Sequence, residues 1–269
     1  MAVWGTNFVV IKFGLEHLPP LTLALLRFTL AFFPMAFFLP RPKVGWGNLA
    51  AYGILIGAGQ FGVLFTARRA DITPGLASLV VQTQVFFTIF LSMRLTGERV
   101  ALYQIVALLI AGCGLATIAL HTDGTAPPLG LVLVLIAAFS WSSGNMVSRK
   151  AGPHIFAVPP LLIFALLLEG PTRMMDGIRA ADAATWGAVV WQSVGNTMFG
   201  YAAWGWLLNR HPTATVAPMA LMVPVFGLGA SALLLGEPLQ PWKLTAFALV
   251  MAGLSVGMLW PRIKQRLQI

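Results

Sequence analysis

The stretch ALYQIVALLIAGCGLATIAL, residues 101–120, is twenty residues long and carries no charged side chain. A helix that crosses the hydrocarbon core of a bilayer needs about 20 consecutive, mostly apolar residues. This stretch therefore predicts a membrane-spanning helix, and similar stretches recur on both sides of it.

The composition of the whole chain agrees with that prediction. The 269 residues are 58% hydrophobic and 9% charged, whereas soluble domains carry about 25% charged residues. This excludes a cytosolic enzyme, a disordered chain and a nucleic-acid-binding module. The single Cys113 cannot form an intrachain disulfide, and the Cys and His residues form no metal-binding pattern. We expect no metal, no cofactor and no catalytic residues.

Breaks at prolines and charged residues divide the chain into ten predicted spans. The seventh is the shortest apolar run, because Glu169-Gly170-Pro171 interrupts it. The ten predicted spans are 1–15, 20–39, 47–67, 74–95, 101–120, 129–148, 156–175, 185–208, 213–235 and 241–260.

The two halves of the chain resemble each other at an offset of 137 to 140 residues. Matching pairs include Trp4 with Trp141 and Trp46 with Trp186. Five spans per half is an odd number, so the second half must enter the membrane upside down relative to the first. The predicted fold is all-α integral membrane, with ten transmembrane helices as two inverted five-helix repeats. Such repeats often build transporters with a site at the midplane.

These repeats predict three parts of the chain: a first repeat at 1–122, a second, inverted repeat at 129–260 and a basic cytoplasmic tail at 261–269. Trp141 has twelve residues of apolar helix before it, from 129 to 140, and Trp4 has three. We therefore expect about ten further apolar residues upstream of Met1, so that the first span is complete.

Lys and Arg are distributed unevenly between the two predicted sides. Ten lie on the side of the N-terminus and six on the other, with Arg27 inside a span left out. The positive-inside rule then places both termini in the cytoplasm. The net charge of +9 is therefore explained by topology.

Four motifs resemble those of a known family. WGTNF at 4–8 and LRF at 26–28 resemble the opening of an EamA-type half, and LTGER at 95–99 and LGEP at 235–238 resemble its ending. The resemblance covers both halves. It implies the drug/metabolite transporter superfamily, with ten helices, cytoplasmic ends and export of small metabolites. Within it, the chain is most similar to the YddG-type exporters of aromatic amino acids and lipophilic compounds.

One position departs from that family pattern. EamA halves often carry a proline in the middle of the fourth helix, as Pro224 does in the second half, but the matching residue of the first half is Val85. We expect the fourth span to be straighter than the ninth.

Polar residues inside spans are costly and therefore point to candidate sites. We expect a substrate cavity lined from both halves, with aromatic rings and amides for planar, lipophilic cargo. The competing interpretations are hydrogen bonds between helices, packing of small residues and an interfacial aromatic belt. The expected cavity residues are Trp4, Asn7, Gln60, Ser78, Gln82, Gln84, Trp141, Ser142, Asn145, Trp191, Asn196, Tyr201 and Met222.

Two further features bear on mechanism. Pro218 and Pro224 predict kinks that act as a gate, with a static bend as the alternative. Arg27 is expected to form a structural pair with a carbonyl or an acid, or else to face the cavity. Apart from Glu169, the acids lie at span ends or in loops, so we expect transport without obligatory proton coupling.

The residues thus favour an alternating-access exporter in a bacterial inner membrane, working as a single chain on small molecules. Phosphorylated metabolites or nucleotide-sugars would need clustered cations, and only Arg27 is available. Multidrug cations would need an inward carboxylate, for which only Glu169 could serve. An intramembrane hydrolase would need a base beside its nucleophile, and a channel would need a carbonyl filter or a charged ring.

Overall fold

The protein is described from a computed structural model, which covers residues 1–37, 45–96, 101–121, 127–151, 158–210, 219–220 and 222–267. Within these ranges the chain forms helices and no strand. The helices are α1 (Ala2–Gly14), α2 (Pro20–Ala36), α3 (Trp46–Arg69), α4 (74–96), α5 (Leu102–Leu120), α6 (Pro128–Ala151), α7 (Val158–Leu168), α8 (Pro171–Ala180), α9 (183–210), α10 (Met222–Leu235) and α11 (Pro241–Leu267).

Four helices of the described ranges are long and apolar enough to cross a membrane. They lie at Trp46–Arg69, Leu102–Leu120, Pro128–Val147 and Pro241–Trp260. The all-helical membrane architecture expected from the sequence is thus confirmed. The pair α7 and α8 would add a fifth span if it is counted as one, but it bends by 103°.

That bend corrects the predicted span 156–175. The helix ends at Leu168, and Gly170 adopts a φ of +75°, which glycine tolerates because it has no Cβ. Pro171 then begins α8, where the missing N–H is harmless. The chain leaves the direction of α7 at this point, and α8 is a separate helix of mixed polarity.

Helix α3 and helix α9 each change their hydrogen bonding in the middle. The stretches Gly53–Gly62 and Trp191–Phe199 are π-helical, with wider turns than the flanking α-helix. Both stretches fall at matching positions of the two halves. π-helical turns are rare and occur often at functional sites.

The helices pack in pairs that exchange partners between the halves. Helix α1 packs along α10, and α6 packs along the C-terminal part of α4. Helix α2 contacts the π-helical part of α9, and α7 contacts that of α3. Helices α5 and α11 pack against each other. The pairing of α1 with α10 therefore corresponds to that of α6 with α4, with the halves interchanged. The pairing of α2 with α9 corresponds in the same way to that of α7 with α3.

Two carboxylates join the halves at helix ends. Glu169 accepts hydrogen bonds from the backbone N–H groups of Leu21 at 2.6 Å and Thr22 at 2.9 Å. Glu237 accepts from the backbone N–H of Gly75 at 3.2 Å and from Lys243 Nζ at 3.1 Å. The first N–H groups of a helix have no partner within it, so each acid satisfies the start of a helix from the other half.

The cap on α2 gives a stability prediction. We expect Glu169→Ala to lower the free energy of unfolding by about 1–2 kcal/mol, because two backbone N–H groups lose their acceptor. Glu169→Gln should lose less, since its amide oxygen still accepts. Thermal unfolding in detergent would measure both. The exposed Glu16 provides the control, and an equal loss for Glu16→Ala would contradict the role of the cap.

The contact between α1 and α10 depends on Gly5. A Cβ at this position would lie 2.5 Å from Cβ of Phe226 and 2.6 Å from the carbonyl oxygen of Val223. We expect Gly5→Ala to lower the unfolding temperature, because the two backbones could no longer approach so closely. Gly112 has open space around it, so Gly112→Ala is the matched control. Equal unfolding temperatures for the two variants would show that this approach is unimportant.

Candidate substrate cavity

A cavity of about 570 Å³ lies between helices of both halves. Its volume falls within the range of small-molecule sites, about 300–1,000 Å³. The lining residues are Trp4, Asn7, Phe8, Ile11, Tyr52, Gln60, Phe61, Leu64, Val81, Gln82, Gln84, Trp141, Asn145, Asn196, Tyr201, Trp204, Ala220 and Val223.

Aromatic rings form one wall of the cavity. The ring of Trp4 lies 5.4 Å from that of Tyr201 and 5.6 Å from that of Trp204, in tilted arrangements. Trp4 Nε1 also donates a 3.3 Å hydrogen bond to the backbone oxygen of Asn196. Helix α1 of the first half and helix α9 of the second are therefore joined at this wall.

Amide side chains supply the polar part of the lining. Six of them face the cavity from five helices, and none of the described lining residues carries a charge. An amide can both donate and accept hydrogen bonds without the desolvation cost of an ion. The six amides are Asn7, Gln60, Gln82, Gln84, Asn145 and Asn196.

A charged residue lies directly behind this lining. Arg27 of α2 is fully buried, and its guanidinium donates to Oγ1 of Thr197 at 3.0 Å and Oδ1 of Asn196 at 2.8 Å. Its centre lies 4.1 Å from the ring of Phe61. Ser193 donates a hydrogen bond to the backbone oxygen of Arg27. The partners of Arg27 are thus neutral side chains of the π-helical part of α9. The partner expected from the sequence was instead a backbone carbonyl or an acid.

Most of the residues expected at the cavity are brought together there. They come from five different helices, and their polarity inside apolar stretches was the signal that identified them. The nine are Trp4, Asn7, Gln60, Gln82, Gln84, Trp141, Asn145, Asn196 and Tyr201.

Four residues expected at the cavity are absent from its lining. Ser78 packs against Gly227 and donates its hydroxyl to the backbone oxygen of Gly75. Ser142 is buried among helices, and the structure gives its hydroxyl no partner within the described ranges. Trp191 and Met222 turn outward instead, with 41% and 43% of their surface exposed.

The described residues bear only in part on the expected proline kinks. Pro224 is the third residue of α10, a position where the backbone N–H has no acceptor within the helix, so it breaks no bond of α10. Pro218 lies outside the described residues. Residue 221, directly before α10, lies outside them as well, so the gate stays a prediction. Helix α4 contains a 3₁₀ turn at Val81–Thr83 without a proline. Because residues 211–218 of the predicted ninth span are not described, the expectation that the fourth span is the straighter of the two also stays a prediction.

Glu169 does not serve as a carboxylate of the cavity. Both of its oxygens are bound to the start of α2, and Oε2 also accepts from the hydroxyl of Thr22. Its partners lie almost 150 residues away in the chain, which is why the sequence gave no sign of this role.

The apolar part of the lining was not predicted from the sequence. Phe8, Tyr52 and Phe61 are aromatic residues within apolar helices, and such residues look like ordinary core or lipid-facing positions. Only the phenol of Tyr52 carried a polar signal.

The fold and the cavity together define a multi-pass membrane protein with a cavity of small-molecule size between its halves. The sequence pattern of the EamA-like transporter family matches residues 1–120 and 128–258. The chain therefore belongs to the EamA-like transporter family.

Relatives of the chain are consistent with that membership. A probable amino-acid metabolite efflux pump of Salmonella typhimurium is 39% identical, covering 100% of this chain and 95% of the relative. A protein of the same description from Escherichia coli K12 is 37% identical over the same shares. A solved crystal structure has a TM-score of 0.61 at 19% identity, covering 97% of this chain and 95% of that one. That last likeness concerns the fold alone.

Cysteine labelling tests the placement of the lining residues. With Cys113 replaced by serine, Gln82→Cys should react with a small membrane-permeant thiol reagent, because Gln82 faces the cavity. Ser78→Cys, one helical turn away, should react far more slowly, because Ser78 is fully buried. Mass spectrometry would follow the labelling. Equal rates for the two cysteines would contradict the described cavity.

Proposed function

We propose that the chain is an alternating-access exporter of small neutral or zwitterionic metabolites. Its principal cargo would be aromatic and hydrophobic amino acids, with lipophilic compounds as further cargo. The observation that carries this proposal is the cavity itself, which combines aromatic rings with six amides and has no charged residue in its described lining. Rings bind planar apolar groups, and amides bind a carboxylate and an ammonium group.

The relatives support the direction and the class of cargo. Both are described as probable amino-acid metabolite efflux pumps, and the chain aligns with nearly their whole length. We infer the same class of cargo for this chain. The aromatic preference rests on the rings of Trp4, Tyr201 and Trp204.

The proposed architecture is ten spans in two inverted repeats, 1–122 and 129–260, that rock about the cavity. The interchanged pairings of α1 with α10 and α6 with α4 support it, as do the matching π-helical stretches. The excess of Lys and Arg on the N-terminal side supports cytoplasmic termini in a bacterial inner membrane. We propose that a single chain performs the transport.

The rival cargoes fit this cavity less well. Phosphorylated metabolites and nucleotide-sugars need several cations, whereas the described lining has none and Arg27 is bound to neighbouring side chains. Multidrug cations need a carboxylate, and Glu169 is engaged at α2. Since the described lining also contains neither an acid nor a histidine, we propose facilitated transport without obligatory proton coupling.

Counterflow in proteoliposomes tests the proposed function. Vesicles loaded with unlabelled phenylalanine should accumulate labelled phenylalanine transiently, and external tryptophan should compete. Trp4→Ala should reduce the initial rate at low phenylalanine by about tenfold, because two ring contacts of the wall are lost. Trp191→Ala is the matched control, since Trp191 lies outside the cavity.

Two results would contradict the proposal. One is the absence of phenylalanine counterflow from vesicles that exchange a sugar phosphate. The other is an equal loss of rate in Trp4→Ala and Trp191→Ala, which would show that the aromatic wall is not involved.

A further inference from the structure

The contact between Arg27 and Asn196 fixes the orientation of one amide in the cavity wall. A guanidinium has only N–H donors, so the atom of Asn196 that faces it must be the oxygen. The Arg27–Asn196 distance is 2.8 Å, and the whole contact is buried. The amide group therefore cannot turn over without losing a charge-assisted hydrogen bond.

The amide nitrogen of Asn196 consequently points away from Arg27. One of its hydrogens is directed to the backbone oxygen of Val3 at the long distance of 3.5 Å. The described residues provide no further acceptor for this nitrogen. The backbone of Asn196 is also held, by Trp4 Nε1. Asn196 is a lining residue, so this N–H, held in a fixed orientation, is a candidate donor to a molecule in the cavity.

The charge near this donor is positive. Arg27 lies behind the ring of Phe61, itself a lining residue, with 4.1 Å from the guanidinium to the ring centre. Its two described partners are the neutral Thr197 and Asn196, so no acid there neutralises it. Since charges interact strongly in a medium of low dielectric constant, this side of the cavity favours a negative group.

We propose that the Asn196 amide nitrogen, held in place by Arg27, is the subsite for the carboxylate of the cargo. The proposal rests on the proposed function and narrows the cargo to molecules with a free carboxylate beside an apolar or aromatic group. Asn196 touches the cargo. Arg27 is a positioning residue that acts through Asn196 and through its charge.

Two ligands of nearly equal size test this subsite. Phenylalanine and phenethylamine share the aromatic ring and the amine, and only phenylalanine has the carboxylate. Binding to the purified wild-type protein in detergent, measured by calorimetry, should be at least about tenfold tighter for phenylalanine, because a charge-assisted bond is at stake.

Asn196→Asp is the variant that reverses this preference. The carboxylate of the variant can still accept a hydrogen bond from Arg27, and the hydrogen bond from Arg27 to Thr197 is unchanged. The fold should therefore be retained, and a melting curve would verify this. It offers no donor to the cargo and repels a carboxylate. Phenylalanine should then bind at least about tenfold more weakly, while phenethylamine binds as well or better.

Two further variants separate position from charge. Asn145→Asp puts the same new charge in the same cavity on α6, and it should reverse the preference less than Asn196→Asp does. Arg27→Lys keeps the positive charge but has one nitrogen in place of the guanidinium fork, so it should weaken phenylalanine binding and leave phenethylamine binding unchanged. A purely structural defect would weaken the binding of both ligands equally.

The outcomes distinguish this inference from the function on which it rests. Equal affinity of the wild-type protein for the two ligands would overturn the carboxylate subsite and leave an exporter of aromatic amines and amino acids. Unchanged phenylalanine binding by Asn196→Asp would overturn it as well. Failure of the wild-type protein to bind either ligand at millimolar concentration would instead reject the proposed function.

Discussion

The structure depends on one buried interaction, the hydrogen bonds of Arg27 with Asn196 and Thr197. Burying an arginine in an apolar interior is costly, and each hydrogen bond to a charged group contributes about 1.5–3 kcal/mol. Arg27 comes from α2 of the first half and its partners from α9 of the second. The need to keep that guanidinium hydrogen-bonded therefore holds the two halves at a fixed distance beside the cavity.

The same constraint operates at the ends of the helices. Glu169 and Glu237 are engaged with the starts of α2 and α4, so these acids serve to join the halves. Arg27, Glu169 and Glu237 thus form hydrogen bonds between helices, whereas the described lining of the cavity consists of neutral residues, among them amides and aromatic rings. Such a lining discriminates between cargo molecules by shape and hydrogen bonding. The positive charge of Arg27 additionally favours a negative group on its side of the cavity.

The sequence predicted well whatever depended on local polarity. Gln60 and Gln82 are polar residues in apolar helices, and the cost of burying them was enough to place them at a cavity. Phe8 and Phe61 were not predicted, because a hydrocarbon ring in an apolar helix has no such cost. Hydrogen bonds between residues of different halves could not be predicted from the sequence either. The partners of Glu169 and Arg27 are nearly 150 and 170 residues away, and only the fold brings them together.

The most direct test of this account is an experimental structure at saturating phenylalanine. We expect density for the ring beside Trp4, Tyr201 and Trp204, with the carboxylate within hydrogen-bonding distance of the amide nitrogen of Asn196. Phenylalanine bound outside the space between the halves, or bound there with its carboxylate turned away from Asn196, would contradict it.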